Sequence, residues 1–208
     1  HTFANTLKYV RVTTSANFGN MLSMAVASAA LPFLPLLPRQ ILLLNFLSDI
    51  PGMAIASDDV DPEQLARPSA WDIRGIRNFM IIFGLISSAF DIATFATLRL
   101  AFDASPDVFR SAWFIESTLT ELAVMLVLRT RRPFFRSRPS RALLLSSLSV
   151  GLLTAAVPFS PVAGPMGFDA IPGQILLALG GLTVSYIVAN EIVKRLTRPT
   201  SPGQLAGL

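Results

Sequence analysis

Asp49 lies inside the apolar run 41–56, and Asn45, Ser48 and Asp49 are spaced three and four residues apart, so a helix sets all three on one face. A second amide pair, Asn17 and Asn20, is spaced three apart where the apolar run 18–37 begins. A charge near the centre of a bilayer costs at least ~2.5–3.5 kcal/mol on insertion scales, so an acid kept there needs a task that offsets the cost. Amide, hydroxyl and carboxylate oxygens together suit a hard cation. Pro51 and Gly52 follow Asp49 and predict an unwound helix with backbone carbonyls turned into a cavity, as in many transporters. Glu121, near the middle of the run 112–128, is a further candidate metal ligand. The plainer alternative makes Asn45 interhelical hydrogen-bond glue and leaves Asn17 and Asn20 at headgroup level. Asp91 reads as a group that caps or pairs with a neighbour, Glu116, soon after Trp113, as an outer-interface residue, and Glu191 as an ion pair with Lys194 and Arg195.

The elements that must position these residues follow from composition. Of 208 residues, 52% are hydrophobic and 14% charged, with mean hydropathy +0.56. Soluble domains carry about 25% charged residues. Six apolar runs, 18–37, 41–56, 79–98, 112–128, 142–157 and 175–193, approach the roughly 20 residues that cross a ~30 Å hydrocarbon core. The expected fold is all-α, a polytopic membrane bundle of six transmembrane helices. Fourteen of the 17 Lys and Arg fall on one side of such a topology, leaving Arg39, Arg99 and Arg110 on the other, which predicts that both termini are cytoplasmic. Residues 1–17 then form a stalk, 18–193 the membrane domain and 194–208 a cytoplasmic tail.

The basic run from Arg129 to Arg141 reads as an anchor beside anionic lipid rather than as a nucleic-acid arm. Asp58, Asp59, Asp61 and Glu63, followed by Arg67 and Pro68, read as a solvated loop, with a cation-attracting mouth as the sharper alternative. Small residues at Gly19, Ser23 and Ala27, and at Gly180, Gly181 and Ser185, predict close helix approach. Lys8 and Arg11 before the small-residue string Ala27-Ser28-Ala29 give a weaker signal-peptide reading, which leaves five apolar runs unexplained. With no cysteine and one histidine, His1, the chain holds no thiolate metal site and no histidine triad. It also lacks a phosphate-binding Gly-x-x-x-x-Gly-Lys-Ser/Thr loop, a nucleophile elbow and a His-Glu-x-x-His zinc helix. No catalytic residue is expected.

The strings Thr2-Phe-Ala-Asn-Thr-Leu-Lys-Tyr-Val, Ser15-Ala-Asn-Phe-Gly-Asn and Leu44-Asn-Phe-Leu-Ser-Asp resemble the fifth and sixth membrane helices of P-type cation ATPases. Asp61-Pro-Glu-Gln-Leu-Ala-Arg-Pro is similar to the loop after that sixth helix, and Phe90-Asp91-Ile with Trp113-Phe-Ile-Glu resembles the magnesium-transporting branch. The resemblance covers essentially the whole chain and implies helices five to ten of such a pump. It implies that Asn17 and Asn20 match the ion-facing motif of the fifth helix, Asn45, Ser48 and Asp49 that of the sixth, and Glu121, more loosely, an acid of the eighth. Calcium pumps have Glu where Asn20 stands, so the loss of a carboxylate fits one Mg2+ better than a two-ion calcium site. The implied role is the ion-binding half of an ATP-driven importer in the cell membrane. Its partners are membrane lipid, the transported divalent cation, and the remaining pump with helices one to four and the cytoplasmic domains; nucleic acid is not among them. Mg2+ is implied as cargo and as the companion of ATP in the parent. The Asp-Lys-Thr-Gly phosphorylation motif is missing from these 208 residues, so the chain reads as a fragment. A stand-alone six-span channel or assembly partner without ATP coupling is the rival reading; a soluble helical bundle is the weakest.

Overall fold

The computed structural model describes residues 2–62 and 72–197. His1, Glu63, Arg67, Pro68 and the tail from Arg198, all weighed above, lie outside the described residues. Among those described, six long helices form and no strand does: α1 Thr2–Ala30, α2 Pro38–Ala54, α3 Ile73–Ala96, α4 Pro106–Leu128, α5 Arg141–Ala156 and α6 Gly173–Leu196.

Helix starts are written locally. Asp72 accepts the Gly75 N–H at 2.9 Å to begin α3, and Ser105 and Ser140 accept the Val108 and Leu143 N–H groups, each at 3.3 Å, to begin α4 and α5. Pro106 follows its cap at a position where a missing N–H costs nothing. Pro32, Pro35 and Pro38 explain why α1 stops at Ala30 although the apolar run continues to Leu37.

At Pro51 the structure corrects the expectation of an unwound segment. Although α2 loses one ladder donor there, it stays helical to Ala54 and tightens into a 3-10 turn at Ile55–Ser57. Pro51 and Gly52 are buried, and the Ile55–Ser57 turn packs on α1, so tertiary contact carries the helix through the proline.

Five helices are long and apolar enough to cross a membrane among the described residues: Pro38–Ser57, Ile73–Ala101, Pro106–Leu128, Arg141–Phe159 and Gly173–Leu196. The 29 residues of α1 extend about 44 Å, but Lys8, Arg11, Asn17 and Asn20 keep it out of that apolar set. Within the protein, 78% of the α4 span is buried, against 28–39% for the other four, so α4 is the central helix around which the rest assemble. On its flanks α6 packs most extensively, while α1 lies along α3 and α2 along α5.

The α1–α3 contact is close because both helices are small there. A Cβ added at Gly19 would lie 2.8 Å from Ser87 Cβ, and one at Gly84 would lie 2.5 Å from the Phe18 ring and 3.1 Å from the Ser15 carbonyl. Ser88 Oγ uses that proximity to donate to the Gly19 carbonyl at 3.0 Å. Gly180, Gly181 and Ser185 behave otherwise: all three are exposed, and a Cβ on either glycine meets nothing within 4 Å. Their composition resembles a packing motif, but α6 turns a different face, with Ile175, Leu179 and Tyr186, to the core.

Candidate ion-binding site

Asn17 and Asn20 project from α1 and Asn45, Ser48 and Asp49 from α2 into one cleft of about 700 Å³, whose lining also includes Glu121 and Met125 of α4. All six oxygen-bearing side chains singled out in the sequence therefore line the same cavity. Asn17, Asn45 and Asp49 are exposed on its open side, Asn20 and Glu121 are half-buried and Ser48 is buried. Ser48 Oγ donates to the Asn45 carbonyl at 3.2 Å. One Glu121 oxygen, Oε2, is buried without a hydrogen-bond partner; its polar surroundings are Ser48, Asn20 and the charge of Asp49. Two carboxylates and three amides supply hard oxygen donors, the chemistry that suits Mg2+ or Ca2+. Among the described residues no group of three or more His, Cys, Asp or Glu gathers to hold a metal, and the cleft itself brings two acids, Asp49 and Glu121.

Deeper in the bundle, Asp91 of α3 and Glu116 of α4 meet, 2% and 1% exposed. Asp91 accepts from Ser23 Oγ of α1 at 2.6 Å and from Trp113 Nε1 at 2.9 Å, and its carboxyl stands within hydrogen-bonding reach of Glu116. Asp91 thus pairs with neighbours, whereas the placement of Glu116 at an outer interface is corrected. The signal was available: with the helical turn Thr97–Ala101 counted as the end of the α3 arm, Asp91 and Glu116 lie equally far in sequence from the middle of the loop 102–105, which places them at one depth of an antiparallel helix pair.

Residues 33–196 match the family model described as "Cation transporting ATPase, C-terminus". The chain belongs to that family. As the C-terminal transmembrane region of a P-type ATPase, it is 40% identical over 198 residues to "Magnesium-transporting ATPase, P-type 1" of Salmonella typhimurium strain LT2, covering 93% of this chain and 22% of that protein. The same-named protein of Escherichia coli strain K12 is 41% identical over 198 residues, with the same two shares covered. A "Calcium-transporting ATPase" of Bacillus subtilis strain 168 is 26% identical over 206 residues, 93% of this chain and 23% of the relative. The chain therefore spans about a fifth of the length of these curated relatives.

This ATPase C-terminal region also contains a charged hub that sequence reasoning misread. Asp58, just past α2, takes Lys8 Nζ of α1 at 2.9 Å, Arg129 Nη1 at 3.0 and 3.2 Å on its two oxygens, and the Ser140 N–H at 3.1 Å. Lys8 donates further to the Asp59 carbonyl at 2.7 Å, and Asn5 Nδ2 to the Asp58 carbonyl at 2.8 Å. Beside it Asp61 accepts from Thr130 Oγ1 and, at 2.8 Å, from Ser137 Oγ, while Arg129 Nη2 donates to the Ser137 carbonyl at 2.6 Å. Asp58 and Asp61 form neither a solvated loop nor an open mouth, and Arg129, 2% exposed, is not a lipid anchor. A helix end brought against an acidic loop explains both corrections, because pairing in the interior replaces the water that each charge gives up. Arg11, near this cluster on α1, has its pKa lowered by burial first and by the charge of Arg131 second. At the far end of the bundle, Gln40 is wholly buried: Oε1 accepts the Leu37 N–H at 2.9 Å, and Nε2 donates to the Met166 and Gly167 carbonyls at 3.0 and 2.8 Å. That amide ties the start of α2 to the loop before α6. Glu191 pairs with Lys194 at 2.6 Å and Arg195 at 3.1 Å, as expected from sequence.

Proposed function

We propose that this chain is the ion-binding membrane half of an ATP-driven P-type cation transporter that imports Mg2+ across the cell membrane. The observation that carries the reading is the convergence of Asn17, Asn20, Asn45, Ser48, Asp49 and Glu121 on one cleft. Asp49 and Glu121 together balance the charge of a divalent ion, and the asparagine carbonyls complete an oxygen shell. Mg2+ keeps several of its waters and is held through one or two carboxylates, which suits a cleft of about 700 Å³ better than a tight cage. The names of the magnesium-transporting relatives at 40–41% identity favour Mg2+ over Ca2+.

In this reading α1 is the sixth span, both termini are cytoplasmic, and residues 2–17 continue α1 as a stalk. Helices one to four and the phosphorylation and nucleotide domains belong to the longer pump, where Mg2+ also accompanies ATP. Phosphorylation there moves α1, and the Lys8–Asp58–Arg129 hub carries that motion to the ends of α2 and α4. The test is ATP-driven Mg2+ uptake into vesicles by the full-length pump and its Asp49→Asn variant. Loss of uptake with normal membrane insertion is expected; normal uptake by the variant removes Asp49 from the site. ATP-independent flux through the 208-residue chain would favour a channel instead.

A further inference from the structure

The pair formed by Asp91 and Glu116 is distinct from the cation cleft, and neither residue lines that cavity. Among the described residues neither carboxyl forms a salt bridge with Lys or Arg. Two like charges in contact within a membrane protein cannot both persist, so such a pair shares one proton. Donor geometry says which group keeps it. Asp91 receives two donors, Ser23 Oγ–H and Trp113 Nε1–H, one on each oxygen, and so is the member of the pair placed as acceptor. Glu116 receives no such donor, and its Oε2 is buried without a partner. The titratable group facing the pair from α6 is Tyr186, which is 2% exposed and brings no positive charge. From α1 the neutral Ser23 reaches it, and from α4 itself Trp113.

We propose that Asp91 and Glu116 form a one-proton binding site in the membrane interior, with the proton on Glu116 and donated to the Asp91 carboxylate. Two of the helices that build this site, α1 through Ser23 and α4 through Glu116, also line the cation cleft. Ser23 lies three residues after Asn20 on α1, and Ser117, which follows Glu116, donates to Asn20 Oδ1 at 3.4 Å. Asn20, Asn45, Trp113 and Ser117 border a small cavity between the two sites. A shift of α1 on cation loading therefore changes the Ser23 donor that holds Asp91 ionised, which links proton affinity to cation affinity in both directions. That linkage rests on the cation reading above; the proton site does not.

The test is infrared spectroscopy of the purified full-length protein in lipid at neutral pH, in H2O and in D2O. Wild type is expected to show a protonated-carboxyl C=O band that shifts in D2O. Glu116→Gln should remove the band, and Asp91→Asn should keep it but move it to higher frequency, since the acid then lacks a charged acceptor. Glu121→Gln should leave this band in place. A wild-type spectrum with no such band overturns the proposal without any variant, as does a band that survives Glu116→Gln. If the band behaves as expected but does not respond to added Mg2+, the proton site stands and its linkage to the cleft fails; the cation reading stands or falls separately, on Mg2+ uptake by the Asp49→Asn variant.

Discussion

Replacing Asp58 by asparagine tests the hub most directly. The wild-type carboxylate faces two cations, Lys8 and Arg129, with side-chain exposures of 6% and 1% against 0% for Asp58 itself. Asparagine keeps the shape and one acceptor oxygen, which can retain the Ser140 N–H, but removes the charge from two ion pairs. Breaking a buried pair by removing one partner costs about 3–5 kcal/mol, because the other charge stays buried and uncompensated. Two cations are stranded here; Lys8 keeps the Asp59 carbonyl and Arg129 keeps Ser137, so the expected loss is about 3–5 kcal/mol rather than twice that. The assay is unfolding of the full-length protein in lipid–detergent mixtures, run as a cycle with Lys8→Met. With Lys8 neutral, Asp58→Asn should cost less, giving a coupling of about 0.5–3 kcal/mol. A single-variant loss under about 1 kcal/mol together with strictly additive effects would refute the argument that burial makes this hub matter.

Three further outcomes follow from the same geometry. Gly84→Ala places a methyl 2.5 Å from the Phe18 ring and 3.1 Å from the Ser15 carbonyl, so α1 and α3 must part at a cost of about 1–3 kcal/mol, measurable by thermal unfolding. Gln40→Leu leaves the Leu37 N–H and the Met166 and Gly167 carbonyls without their partner. It should destabilise by about 1–3 kcal/mol and speed hydrogen exchange at Leu37. In the cleft, Glu121→Gln should weaken Mg2+ binding measured by calorimetry on the full-length pump while leaving its melting temperature in the absence of Mg2+ within a few degrees of wild type. A large fall in that temperature would make Glu121 a structural residue.

Much of the bundle was legible because lipid imposes a length and a hydropathy on each helix, and those are one-dimensional properties. The runs 41–56, 79–98, 112–128, 142–157 and 175–193 each contain most of an observed helix, with ends displaced where Asp72, Ser105 and Ser140 cap further upstream. The α1 end was misread because hydropathy continues past Ala30 while the proline run forbids a helix. Helical spacing likewise put Asn45, Ser48 and Asp49 on one face, and the cleft in fact gathers them with the α1 asparagines.

Partnership across helices was another matter. Nothing local distinguishes Lys8, Asp58 and Arg129 from charges that water solvates, and only the meeting of α1, the end of α2 and the end of α4 turns them into a buried hub. Pro51 reads as a helix breaker in any single-helix view, yet packing on α1 holds α2 intact through it. Glu116 follows a tryptophan and so resembles an interfacial residue, until α3 and α6 close over it beside Asp91. The sequence by itself determined the helices, their lengths and the faces on which oxygen-bearing residues fall, because these depend on residue type and period. Which charges are buried, and with whom, was decided by tertiary structure, because the free energy of a buried charge depends on a partner brought from another helix, 50 residues away for Lys8 and Asp58 and 71 for Arg129 and Asp58.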